Sequence, residues 1–117
     1  MAGASRRCTL TGAGAFEAVF RTGRRSDGEY LQVVAAPAAG ACGRVGFVIG
    51  AKALPRAVDR NRVRRMLRVV LRDGKTIIGG LDVIVRVKRP VARSEFAQIV
   101  SEARRMMAVL PGRRGEP

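Results

Sequence analysis

Arginine carries most of the chemistry available to this 117-residue chain, and its densest run is Arg56 to Arg72. Seven of those seventeen positions are arginine: Arg56, Arg60, Arg62, Arg64, Arg65, Arg68 and Arg72. A guanidinium is a permanently charged planar fork that bonds phosphate through two N–H groups at once. The chemistry on offer is recognition of a polyanion. Asn61 adds a group that bonds a base edge or a ribose 2′-hydroxyl while Arg60 and Arg62 neutralise phosphates beside it. A solvated charged face is the plain alternative. Against it, Arg44 to Arg72 holds nine cations and a single acid, Asp59, and like charges along one face repel without a counter-charge.

A catalytic constellation is not found. The chain has no His, so the usual general base is missing. The carboxylates Glu17, Asp27, Glu29, Asp59, Asp73, Asp82, Glu95, Glu102 and Glu116 are scattered, with no close pair for acid/base or metal work. Gly12-Ala13-Gly14 is too short for a phosphate-binding loop. Any catalysis needs reactive groups from elsewhere.

The basic run must be positioned by a helix. Val63, Met66, Leu67, Val70 and Leu71 repeat at helical spacing and, at about 100° per residue, share one side. Asn61, Arg62, Arg64, Arg65, Arg68 and Arg72 fan across the other, with Val69 the one apolar residue among them. The helix begins after Pro55, has Asp59 in its first turn where the dipole favours it, and is closed by Gly74. An earlier helix runs from Ala13 to Arg21 and ends at Gly23. Its Phe16 and Phe20 lie one turn apart, either as core or as the edge of a groove that receives bases. Arg24 to Gly28 is a basic turn or short edge strand. Tyr30–Ala36 and Arg44–Ile49 read as strands, and their spacing favours an antiparallel hairpin. Leu81–Val87 is a third strong strand, joined to Arg44–Ile49 through the basic helix as parallel neighbours would be. Ser94 is the expected N-cap of a last helix that buries Phe96, Ile99, Val100, Ala103, Met106, Met107 and Leu110 and stops at Pro111. The fold class is α+β, a two-layer sandwich of helices on a mixed sheet.

Composition agrees. There are 23 Lys plus Arg against 9 Asp plus Glu, a net charge of +14, so nucleic acid is the first candidate partner and a membrane surface the second. Cys8 and Cys42 cannot close a zinc shell alone and read as free thiols in a reducing compartment. The longest uncharged run, Tyr30 to Gly43, is too short to span a bilayer. One cytoplasmic domain over 1–117 is expected, with 1–9 and 111–117 flexible.

Read together, Arg44 to Ile49, Lys52, and Arg56 to Arg68 with Arg60-Asn61-Arg62 at the centre resemble the protein subunit of bacterial ribonuclease P. Phe16 to Gly23 is similar to that family's first helix, Asp82 to Pro90 to its strand ending in Arg-Pro, and the helix from Ser94 to its closing helix. The resemblance implies an αβββαβα order with a left-handed β-α-β crossover, an exception to the usual hand. It implies an RNA-binding accessory subunit of an endoribonuclease. The partners implied are the catalytic ribonuclease P RNA and precursor tRNA, whose 5′ leader is removed. Catalytic groups and Mg2+ are implied on the RNA, with no cofactor on the protein alone. Carried over by position, Lys52, Arg56, Arg60, Asn61, Arg62, Arg64, Arg65 and Arg68 face RNA, and Phe16, Phe20 and Tyr30 line the leader cleft. The chain departs from the family at Gly50 and Ala51, where a Ser/Ala-Lys is usual, and Leu31–Ala36 carries no aromatic. A structural RNA-binding protein such as a ribosomal protein is the main rival. A major-groove DNA module is a second, disfavoured because strands precede the basic helix where a helix-turn-helix partner would stand.

Overall fold

The two most apolar strands are apolar on both faces, and that decides the architecture. A computed structural model describes residues 10, 12–38, 43–73 and 81–108, without the side chains of 72 and 73. The expectations for Cys8, Cys42, Gly74, Leu110, Pro111 and both chain ends lie outside the described residues. The order is α1 (Ala13–Thr22), β1 (Arg24–Asp27), β2 (Leu31–Pro37), β3 (Val45–Val48), α2 (Ala57–Asp73), β4 (Leu81–Val87), a 3-10 turn (Arg93–Glu95) and α3 (Phe96–Ala108).

On β2, Leu31, Val33 and Ala35 point to one face while Val34 and Ala36 point to the other. On β4, Val83, Val85 and Val87 join the first set and Ile84 the second. Both faces must be covered. The larger cluster packs under Val63, Leu67, Val70 and Leu71 of α2 and Phe96, Ile99, Ala103, Met106 and Met107 of α3. These form the second layer of the sandwich. α1 covers part of the opposite face through Val19, Phe16 and Phe20. Val63, Leu67 and Ile99 are fully buried, so truncating Leu67 to Ala costs about 2–5 kcal/mol.

The sheet order is β1-β2-β4-β3. β4 runs antiparallel to β2, with Leu31 opposite Val87 and Pro37 opposite Leu81, and parallel to β3, with Val45 opposite Val83. The parallel crossover through α2 is as expected. The β2–β3 hairpin is not formed, because β4 lies between the two strands. Centrality goes to the strand that gains most from it: Val83, Ile84 and Val85 are all 0% exposed. Asp82 then draws β3 to its far side. This carboxylate, 2% exposed, accepts the Arg44 backbone N–H at 2.9 Å and its guanidinium at 3.0 Å.

Two terminators work differently from expectation. Gly23 has an extended backbone (φ −84°), so no left-handed turn requires glycine there. A Cβ would meet the Val19 carbonyl oxygen and Val34 Cγ1, each at 2.7 Å, and that close approach is what demands glycine. Ser94 does not cap α3. The turn starts a residue earlier, at Arg93, and the Glu95 carboxylate accepts the Ala92 N–H at 2.8 Å. Among the described residues no helix is long and apolar enough to cross a membrane.

Candidate nucleic-acid interface

α2 starts where Arg56 O accepts from the N–H groups of Asp59 and Arg60. Asp59 is buried in the first turn and pairs with Arg93 at 3.2 Å, a carboxylate held at the positive end of the helix dipole. Once Val63, Leu67, Val70 and Leu71 face the core, the helical period turns Asn61, Arg62, Arg65 and Arg68 outward, all exposed. Arg64 is half-buried at the margin. Lys52 and Arg56 are exposed on the segment leading in.

These side chains differ in what holds them. Arg60 is half-buried, and its Nη1 donates to the Leu54 and Pro55 carbonyls at 2.8 and 3.1 Å. It ties the helix start to the preceding loop, so it positions the interface. Arg64 Nη1 donates to Asn61 Oδ1 at 2.8 Å, which orients the Asn61 amide. The Arg68 guanidinium lies 5.5 Å from the Phe47 ring centroid, a cation–π distance. Among the described residues, Lys52, Arg56, Arg62, Arg65 and Arg68 have no carboxylate partner. Arg62 and Arg65, one turn apart, repel with no acid among the described residues to neutralise them. The arrangement is complementary to a run of phosphates.

The second predicted group is split. Phe16 and Phe20 share the cluster of Leu10, Val19, Val34, Ala36 and Ile84. Both are half-buried, so each ring packs on this cluster and keeps part of its surface open. Phe16 lies over Gly46, where a Cβ would meet Phe16 Cζ at 2.6 Å. Phe20 has the Arg25 guanidinium 6.0 Å from its ring. Beyond α1 the same sheet face is polar. Gln32 Nε2 donates to Asp27 Oδ1 at 3.1 Å, and Arg86 Nη1 donates to Gln32 Oε1 at 3.1 Å. Register sets Asp27, Gln32, Arg86 and Val48 abreast across all four strands. The Lys88 ammonium, followed by the Gln32 amide, holds the Asp27 carboxyl below its usual pKa.

Tyr30 does not join Phe16 and Phe20. It is 5% exposed, in the cluster on the α2/α3 face. Its hydroxyl donates to Glu95 Oε2 at 2.9 Å, and that bond, with burial behind it, raises the phenol pKa. The backbone leading into β2 is fixed by Glu102, which accepts the N–H groups of Glu29, Tyr30 and Leu31 at 2.8–3.0 Å. Gln32, Arg86 and Arg25 were missed as leader candidates. The signal was present: Gln32 is the one polar residue in the apolar run of β2. Among the described residues, no three of His, Cys, Asp and Glu converge as metal ligands.

Comparison with known proteins accords with this geometry. A protein-family model described as Ribonuclease P matches residues 4–110. The ribonuclease P protein component of Nitrosomonas eutropha is 32% identical over 98 residues, covering 82% of this chain and 81% of the relative. That of Chromohalobacter salexigens is 39% identical over 90 residues, covering 76% and 70%. The fold matches the solved RNase P protein of Staphylococcus aureus with a TM-score of 0.72 at 17% identity, over 90% of this chain and 99% of that one. It matches the Thermotoga maritima RNase P protein with a TM-score of 0.68 at 23% identity, over 95% and 100%.

Proposed function

Because this chain belongs to the ribonuclease P protein family, we propose that α2 binds the catalytic RNA of that endoribonuclease and that the α1 side of the sheet receives the precursor tRNA leader. The family makes the chain an RNA-binding component of an endoribonuclease, and a ribosomal protein is not favoured. The observation that carries the α2 assignment is the set of cations with no acid partner among the described residues: Lys52, Arg56, Arg62, Arg65 and Arg68. Asn61, oriented by Arg64, supplies a donor and an acceptor among them. Arg60 acts through the loop it anchors.

For the leader, Phe16 and Phe20 offer ring surface for stacking, and Arg25 and Arg86 offer charge for its backbone. Gln32 keeps one amide hydrogen and one lone pair free of Asp27 and Arg86, enough for a base edge. Tyr30 has no part in this cleft. We assign cleavage and the Mg2+ that serves it to the RNA. Of the described acids, Asp27, Glu29, Asp59, Asp82, Glu95 and Glu102 are engaged in ion pairs or hydrogen bonds, and Glu17 stands alone and exposed on α1. On this reading the protein works in the cytoplasm.

The test mixes the protein with bacterial ribonuclease P RNA and precursor tRNA at near-physiological magnesium, beside RNA-only and protein-only controls. Correct 5′ cleavage that the protein stimulates, with none from protein alone, is the expected result. Folded protein that gives no stimulation at any salt concentration overturns the proposal.

A further inference from the structure

Among the described residues only two large apolar side chains are exposed, and both lie on the basic face of α2, where helical spacing alone places only Val69. Val58 is 61% exposed and Val69 44%. Scattered surface valines need no explanation, but these two are not scattered. They are three helical turns apart, about 16 Å along the axis, with Arg62 and Arg65 between them on the same stripe. At about 100° per residue the four side chains fall within roughly 60° of one another. Asn61 and Arg68 lie to one side of this stripe. A face built only to meet phosphates would gain from more charge or from neutral polar groups at these two positions.

The charge decides what covers the stripe. A second copy of this chain would set Arg62 and Arg65 against like charges. A polyanion is complementary. Regular duplex RNA, however, offers little apolar surface to a helix lying across its phosphates. Base faces and ribose carbons become available where a nucleotide is unpaired and splayed from its stack. We infer that Val58 and Val69 make apolar contacts with unpaired nucleotides at the two ends of a phosphate run gripped by Arg62 and Arg65. α2 would then recognise an interrupted RNA helix, a loop or bulge, rather than phosphate density alone. This rests on the reading of α2 as the RNA-binding face.

The experiment compares wild type, Val58→Ser/Val69→Ser and Arg62→Gln/Arg65→Gln for binding to bacterial ribonuclease P RNA and to a fully paired RNA duplex. Salt is varied throughout, and thermal melts monitor the fold. The serine pair should bind ribonuclease P RNA about tenfold more weakly, from lost apolar burial. Its salt slope should not change, because no charge is removed, and duplex binding should stay at the wild-type level. If the serine pair melts early, Val58→Thr/Val69→Thr keeps the β-branched shape and carries the same comparison. Wild-type affinity in the valine variants overturns the inference and gives the stripe to a protein partner. An equal loss on duplex also overturns it, as does a wild-type dimer that the valine variants dissolve. If instead the arginine pair leaves the salt slope unchanged, the α2 interface itself fails, and that outcome is read from a separate variant.

Discussion

Two regions of this protein are rich in cations, and only one has the character of a binding face. Past the end of β4, Lys88, Arg89 and Arg93 pair with Asp27, Glu29 and Asp59 at 3.2–3.3 Å. On α2, Arg62, Arg65 and Arg68 have no acid among the described residues. The first region spends its charge inside the molecule: Lys88 and Arg89 join the end of β4 to β1 and the β1–β2 turn, and Arg93 joins the 3-10 turn to α2. The second leaves its charge open, as the proposed RNA interface requires. Counting arginines does not separate them; asking where each guanidinium is neutralised does.

Breaking the acids of the paired region should therefore cost stability, and removing cations from α2 should cost RNA affinity. The largest effect is expected at Glu102, the buried carboxylate that holds the turn bearing Glu29. Glu102→Ala leaves three backbone N–H groups without their acceptor and should cost roughly 3 kcal/mol in denaturant unfolding. A midpoint within error of wild type would show that the turn is held by something else.

Next comes RNA binding. Arg62→Gln/Arg65→Gln should lose roughly 2 kcal/mol of affinity and lower the salt slope by about two units. Its unfolding midpoint should hold or rise as repulsion is relieved. Lys88→Gln/Arg89→Gln should leave the slope near its wild-type value. Equal slopes for the two double variants would erase the contrast between the regions.

Asp59→Asn is a smaller perturbation. It unpairs Arg93, whose side chain is 57% exposed, and weakens the dipole contact, so about 0.5–1 kcal/mol is expected. The freed Arg93 adds an unpaired cation beside the start of α2, and the salt slope should steepen slightly.

The smallest effect is with pH. The Ala92 N–H, and after it the Tyr30 hydroxyl, hold the Glu95 carboxyl below its ordinary value of 4.5. A depressed folded pKa gives stability that is present above the unfolded value and lost as pH falls through the folded one. Tyr30 is the only tyrosine and there is no Trp, so tyrosine fluorescence reports this site. On acidification from neutral pH its emission should change only below pH 4.5, and Glu95→Gln should remove that transition.

Much of the α2 face was legible beforehand because a helical period is local. Val63, Met66, Leu67, Val70 and Leu71 were assigned to the core side by spacing, and each is buried or partly so. Strand faces were less readable, because β2 and β4 are apolar on both sides and the place of Gln32 was not assigned from spacing. The Tyr30 assignment failed because Tyr30 precedes β2, where the period of two does not yet hold, and Glu95 draws its hydroxyl to the α3 side. The hairpin failed because chain proximity favours β2 beside β3, and nothing local reveals a later strand that fits better between them.

By itself, the sequence determined which segments are helices and strands, which side of α2 is apolar, and that the chain seeks a polyanion. Those follow from residue types and their spacing along one stretch of backbone. Only the tertiary structure decided that β4 is central, that Arg60 anchors a loop while Arg62 and Arg65 meet no acid among the described residues, and that Val58 and Val69 share their stripe in the open. Each of these depends on which groups meet from distant parts of the chain, and a guanidinium is free or spent according to the carboxylate that folding brings within about 4 Å of it.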